Sequence, residues 1–201
     1  MSADVEAAVA ALRAGKLAVV PTDTVYGLAA SPYREPPVAR LYRAKGRDPL
    51  QPTALVACDL DMLFECVPEL RGRVGRIASA LLPGPYTLVL PNPARRYRWL
   101  AGSTPDAIGV RVPEATGVAR AVLDRAGAYA ATSANASGGA DPRTLAEVPE
   151  EIRAAAEAIV DGGALAGTPS TVLDFTGPEP VVLREGAASS AEALRLVAPV
   201  I

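Results

Sequence analysis

The sequence predicts an α/β or α+β chain built on a mixed sheet with flanking helices. Helical and strand patterns interleave along all 201 residues. Half the residues are hydrophobic but only 4% are aromatic, so the core must be built mainly of Ala, Val and Leu. No internal repeat, low-complexity tract or long linker interrupts the pattern, so residues 1–201 are expected to form one domain.

Residues 4–14 read as an amphipathic helix, capped by Ser2 or Asp4 and stopped at Gly15. Leu17 to Val20 is an apolar strand that ends at Pro21. Residues 36–44 form a helix opened by proline, with Val38, Leu41 and Tyr42 on one side. Residues 53–57 read as strand, 60–64 and 72–82 as helices, 86–90 and 108–112 as strands. A helix over 117–126 stops at Gly127, a short buried strand follows over 129–132, and SANASGG is a polar loop. Residues 149–158 are predicted helical, 171–175 and 181–184 are strands around a Gly-Pro turn, and 190–197 is a helix capped by Ser189 or Ser190.

Composition excludes several chemistries. Without histidine there is no Ser-His-Asp triad, no Cys-His pair and no His-ligated zinc. Cys58 and Cys66 form no CxxC motif and read as buried free thiols. The formal net charge of -2 argues against holding nucleic acid by bulk charge. Local basic patches remain around Arg43, Arg73 and Arg96. No segment approaches the roughly 20 apolar residues of a membrane span, and the N-terminus lacks the apolar run of a signal peptide. A cytoplasmic location is expected.

Chemistry is concentrated in short polar segments at strand ends. Thr22, Asp23 and Thr24 follow an apolar strand and precede Tyr26 and Gly27, a common way to line a ligand pocket. Taken alone, the same residues would also suit an ordinary turn. Lys45 and Arg47 place two cations around one glycine, as a polyphosphate requires and as a solvated helix end also allows. Arg111 lies between Val110 and Val112 in a strand, where alternation turns it away from both. A charge so placed needs a partner unless it sits on a solvent-facing edge. Ser133 and Asn135 follow a buried strand, where their side chains suit either a ligand or a cap on the loop, and the loop's Gly138-Gly139 pair is similar to a phosphate-binding nest. No GxxxxGK[ST] or GxGxxG segment is present, which excludes a P-loop or a dinucleotide-binding fingerprint.

The order PTDTVYGL, KGR, VRVP, TSANASG, STVLDF and LREG, from about residue 16 to 186, resembles the YrdC-like family of threonylcarbamoyl-AMP synthases. The resemblance implies a twisted α/β sheet with a large concave, positively lined cavity. It implies a nucleotidyltransferase that makes threonylcarbamoyl-adenylate and pyrophosphate from L-threonine, bicarbonate and ATP, with Mg2+ accompanying the ATP. The product feeds threonylcarbamoyladenosine formation in tRNA through separate transfer proteins. By motif, Thr24, Tyr26, Arg111 and Ser170 are expected at the threonine. Lys45, Arg47, Gln51, Ser133, Asn135 and Arg184 are expected at the nucleotide, with Lys45 and Arg47 as the catalytic cations on its phosphates. No protein-held metal is expected.

The chain departs from the family pattern at Asp48, where KxRP has proline, and at Val56, where longer members often have histidine. The length after the last helix fits the short, single-domain branch. Two other readings stay open: binding of tRNA or double-stranded RNA without catalysis, and a ribosome-associated paralogue.

Overall fold

A computed structural model describes residues 2–200. Its helices are α1 (Ala3–Arg13), α2 (Glu35–Lys45), α3 (Leu60–Cys66), α4 (Arg73–Leu81), α5 (Gly117–Ala126), α6 (Glu150–Ala155) and α7 (Ser190–Val197). Its strands are β1 (Leu17–Val20), β2 (Gly27–Ala30), β3 (Ala54–Ala57), β4 (Tyr86–Pro91), β5 (Ala107–Arg111), β6 (Ala128–Ser133), β7 (Ala158–Ile159), β8 (Thr171–Asp174) and β9 (Val181–Arg184). All nine strands join one mixed sheet in the order β7-β1-β2-β6-β3-β5-β4-β8-β9. The pairs β1·β7, β3·β5 and β4·β8 are parallel and the rest antiparallel.

The elements begin and end where local chemistry dictates. The Ser2 hydroxyl accepts from the Asp4 amide at the start of α1. Proline occupies the first turn of α2, and Gly46, at φ 61°, closes that helix in the left-handed conformation. The Ser189 hydroxyl caps α7 through the Glu192 amide.

Two elements differ from the sequence reading. The predicted helix over 149–158 stops at Ala155, and Ala158–Ile159 instead form β7. The Glu157 amide donates to the Leu17 carbonyl, and Ala158 pairs in parallel with Ala18. A sheet edge thus captures a segment whose composition favours helix. The strand β2 (GLAA) has weak β-propensity. It forms because Gly27–Ala30 is held on both sides, by β1 and by β6.

How helices cover the sheet decides where a ligand can go. On one face, α1 and α5 pack Val5, Leu12, Val122 and Leu123 against Ala18, Val20, Ala29 and Tyr129. On the opposite face, α2 and α6 bury Leu41 and Ile152 against Leu17, Val19 and Leu28. Further along that face, α3, α4 and α7 pack against Leu55, Leu88, Leu90, Ile108, Val110 and Leu173. The first face is left uncovered beyond β3, over β5, β4 and β8, and a cavity opens there.

Leu88 is fully buried and pairs with Val110 directly beneath that cavity. Leu88→Ala is expected to cost about 2–5 kcal/mol, the range for deleting a core leucine. Urea unfolding measures it, and a loss within 0.5 kcal/mol (roughly the scatter of a surface substitution) contradicts the packing described.

Candidate active site

The period of two along each strand separates core from cavity. In β5, Ile108 and Val110 enter the core while Ala107, Gly109 and Arg111 face the cavity. In β4, Leu88 and Leu90 are core whereas Thr87 and Val89 face the cavity. Ala54 and Val56 of β3, Ala131 and Ser133 of β6, and Val172 of β8 complete the floor. Small side chains make that floor, so the cavity has a volume of about 290 Å³ and opens to solvent.

Thr22 organises the turn after β1. Its Oγ1 accepts from the amides of Thr24 and Val25 and donates to the Val25 carbonyl at 2.7 Å. The turn thereby fixes Thr24 on the wall and turns Asp23 toward Arg111. Arg111 Nη2 donates to Asp23 Oδ1 at 2.7 Å, with side-chain exposures of 12% and 7%. That is the charge partner the strand position requires. Arg111 Nε and Asp23 Oδ2 are both buried without a partner.

The far wall is built around Ser170. Its hydroxyl lies 2.7 Å from Thr87 Oγ1. Arg184 of β9 clamps it: Nε and Nη2 donate to the Ser170 carbonyl at 3.1 and 2.7 Å, and Nη2 reaches its hydroxyl at 3.2 Å. Burial pushes Arg184 below its usual basicity, and the nearby Asp141 charge opposes that shift. Gly186 is packed so tightly that a Cβ there would collide with the backbone of Pro169 and Ser170.

The third cluster joins α2 to the end of β6. Lys45 is buried, and its Nζ donates to the Ser133 carbonyl at 2.6 Å, to Ser133 Oγ at 3.3 Å and to Asn135 Oδ1. Burial, followed by the Arg47 charge, lowers Lys45 to about 8. Arg47 lines the cavity and donates to the Pro52 carbonyl at 2.8 Å, leaving its buried Nε unpartnered.

Of the ten residues expected from sequence, Thr24, Arg47, Arg111, Ser133, Ser170 and Arg184 line this one cavity. Lys45 and Asn135 lie directly behind Ser133, bonded to it. Two do not reach it. Tyr26 is fully buried, its hydroxyl 2.9 Å from both Asp161 Oδ1 and the Gly163 carbonyl and accepting from the Gly162 amide. It anchors a loop rather than facing a ligand. Gln51 is exposed, and its carbonyl accepts from the Tyr42 hydroxyl. Thr22, read from sequence as part of a pocket-lining turn but given no ligand, also lines the cavity, as do Thr53, Thr87 and Asp141, which the sequence reading did not single out. Alternation would have found Thr87, whereas the others sit on irregular backbone. Cys58 and Cys66 are free and buried.

A sheet with one partly uncovered face, lined by guanidinium and hydroxyl groups, forms a site of the class suited to small anionic ligands. A family model described as telomere recombination (Sua5, YciO, YrdC) matches residues 10–186. The chain belongs to this Sua5/YciO/YrdC family. It is 36% identical over 176 residues to a threonylcarbamoyl-AMP synthase of Pyrococcus abyssi, covering 87% of this chain and 52% of the relative. It is 35% identical to the synthase of Halorhodospira halophila, covering 77% of this chain and 81% of that one. The P. abyssi Sua5 structure complexed with L-threonine superposes with a TM-score of 0.87 at 34% identity, over 98% of this chain and 58% of that chain. The chain thus spans about half the length of its P. abyssi relative.

The shifted Lys45 has a measurable consequence. Between about pH 8 and its ordinary value of 10.5, the unfolded chain holds a proton on Lys45 that the folded chain has released. Stability therefore rises with pH across that window. Above the ordinary thiol value of 9.0 the two buried cysteines, both raised by burial, act the other way. Thermal melts of the ligand-free protein and of Lys45→Met should show the parent gaining stability relative to the variant from pH 8 to 9. A constant difference across that interval contradicts the burial of a charged Lys45.

Proposed function

We propose that this chain is an L-threonylcarbamoyladenylate synthase, a nucleotidyltransferase that forms threonylcarbamoyl-AMP and pyrophosphate from L-threonine, bicarbonate and ATP. The observation that carries this reading is the meeting of Arg47, Arg111 and Arg184 with Thr24, Ser133 and Ser170 in one hollow, Lys45 directly behind them. The naming of its relatives and the threonine held by the P. abyssi protein support the same assignment.

In this reading Arg111 takes the threonine carboxylate. Its Nη2 is held by Asp23, which fixes the guanidinium plane and leaves its other donors for a second anion. Thr24 and Ser170 flank the amino acid. Lys45, Arg47, Ser133, Asn135 and Arg184 serve the nucleotide. Tyr26 acts at one remove, by positioning the loop that carries Asp161, and Gln51 has no direct role.

The threonine amine attacks carbon dioxide, forming a C–N bond and releasing a proton, or attacks bicarbonate, forming the same bond as a C–O bond breaks and water leaves. A carbamate oxygen then attacks the α-phosphorus. The bond from that phosphorus to the β-bridging oxygen breaks, and pyrophosphate leaves. No covalent enzyme intermediate is needed, so positioning and charge neutralisation supply the acceleration.

ATP enters as its magnesium complex. Among the described residues no group of three or more acidic, cysteine or histidine side chains is gathered to hold a metal. In this reading the ion travels on the phosphates, whose charge it partly neutralises. Separate proteins transfer the product to tRNA. The two free thiols suit a reducing compartment such as the cytoplasm, and none of the described helices is long and apolar enough to cross a membrane. RNA binding without catalysis is less favoured, because Arg95 and Arg96 are engaged by Asp106 and Glu69 rather than left for phosphates.

Purified protein with ATP, threonine and bicarbonate should yield threonylcarbamoyl-adenylate by mass spectrometry. Arg111→Ala and Lys45→Ala should each slow pyrophosphate release by about 100-fold or more, the scale of losing a well-placed charged donor. Near-parental rates in either variant remove that residue from the mechanism, and absence of adenylate from the parent protein refutes the proposal.

A further inference from the structure

Asp141 is the only carboxylate among the described residues lining the cavity. It forms no hydrogen bond or ion pair with any described residue. Its neighbours are nevertheless cationic: its charge holds up the proton affinity of both Lys45 and Arg184 against the burial that lowers it. Its place is fixed by the chain around it. The Pro142 carbonyl accepts from the Tyr26 amide at 2.8 Å, and the Arg143 carbonyl accepts from the Leu165 amide at 2.8 Å. On the near side of the loop, the Ser137 amide donates to the Lys45 carbonyl at 3.2 Å. The loop is tied at both ends, and a proline after Asp141 restricts its backbone further.

A free carboxylate among cations meant for a polyphosphate poses a problem of sign. Phosphates drawn to Lys45, Arg47 and Arg184 bring negative charge toward Asp141, and like charges brought together cost affinity. A hard divalent cation riding on the phosphates reverses that sign. Mg2+ is commonly held by one or two carboxylates together with substrate phosphates, keeping several of its waters. We propose that Asp141 makes the site selective for the magnesium complex of the nucleotide over the free nucleotide, by ligating the phosphate-bound ion directly or through one of its waters. The inference rests on the nucleotide site proposed above and deepens it: Asp141 reads the metal, and the cations read the phosphates.

The test is calorimetric binding of α,β-methylene-ATP, without threonine, in excess Mg2+ and in EDTA. The parent protein is expected to bind the magnesium form about 10-fold or more tighter than the free form, a difference of about 1.4 kcal/mol. In Asp141→Asn the ratio should fall toward unity, chiefly because the free nucleotide binds better. Asp141→Glu, which keeps the oxygen ligands, should retain more of the ratio than Asn. With Mn2+ in place of Mg2+, the electron paramagnetic resonance signal of the ternary complex should differ between the parent and Asp141→Asn. Unchanged threonine affinity in the variants reports that the cavity is intact.

An equal ratio in the parent and Asp141→Asn overturns the inference while leaving the synthase reading standing. So does a loss of threonine affinity at constant ratio, which would instead assign Asp141 to the substrate ammonium. No nucleotide binding by the parent under either condition overturns both readings.

Discussion

Everything about the site depends on one face of the sheet being covered for only part of its width. Helices α1 and α5 bury that face over β1, β2 and β6, and the cover ends near β3. Beyond it, strands that are fully packed from below present small and polar residues above. In β5 the same five residues hold Ile108 and Val110 in the core and aim Arg111 at the cavity. The pleat does this without any loop, so Arg111 inherits the rigidity of a central strand flanked by β3 and β4.

A guanidinium on such a strand must be neutralised before any substrate arrives, and Asp23 does so. The cost of this arrangement is concentrated around the cavity. Of the buried side-chain atoms without a partner, Arg47 Nε, Thr53 Oγ1 and Arg111 Nε belong to residues that line it, and Asp23 Oδ2 belongs to the Arg111 ion pair. Each such group costs on the order of 1–3 kcal/mol when left unsatisfied. An anion that supplies acceptors to Arg47 and Arg111 recovers part of that cost, which favours binding at the places where donors have been left over.

The sequence made the elements legible where local signals and tertiary structure agree. Helices α1, α5 and α7 end at their serine caps and glycines as expected, and the apolar run of β1 is a strand. It was less informative where the sheet imposes structure from outside. Gly27–Ala30 has no strand composition, and Ala158–Ile159 continues a helical composition. Both become strands only because neighbouring strands offer them hydrogen bonds. The same contrast holds in the site. The residues read from strand ends, Thr24, Arg111, Ser133 and Ser170, converge as expected. Tyr26 shares the motif but points its ring into the core, because alternation along a turn cannot be read from spacing. Asp141 left no trace in the pattern, since its position depends on how a loop folds back to the Tyr26 amide.

Charge shows the same difference between local and global properties. The chain as a whole is slightly acidic, with a formal charge of -2. The site nevertheless gathers Lys45, Arg47, Arg111 and Arg184 against only Asp23 and Asp141. The remaining surface must therefore be more acidic than the average suggests. Low-dielectric walls around a cationic hollow focus its field outward through the open mouth, while acidic surroundings discourage anions from binding elsewhere. Composition alone would count this as a protein indifferent to polyanions. The fold separates the charges, and it gathers cations together with most of the unpaired buried donors found among the described residues at the cavity.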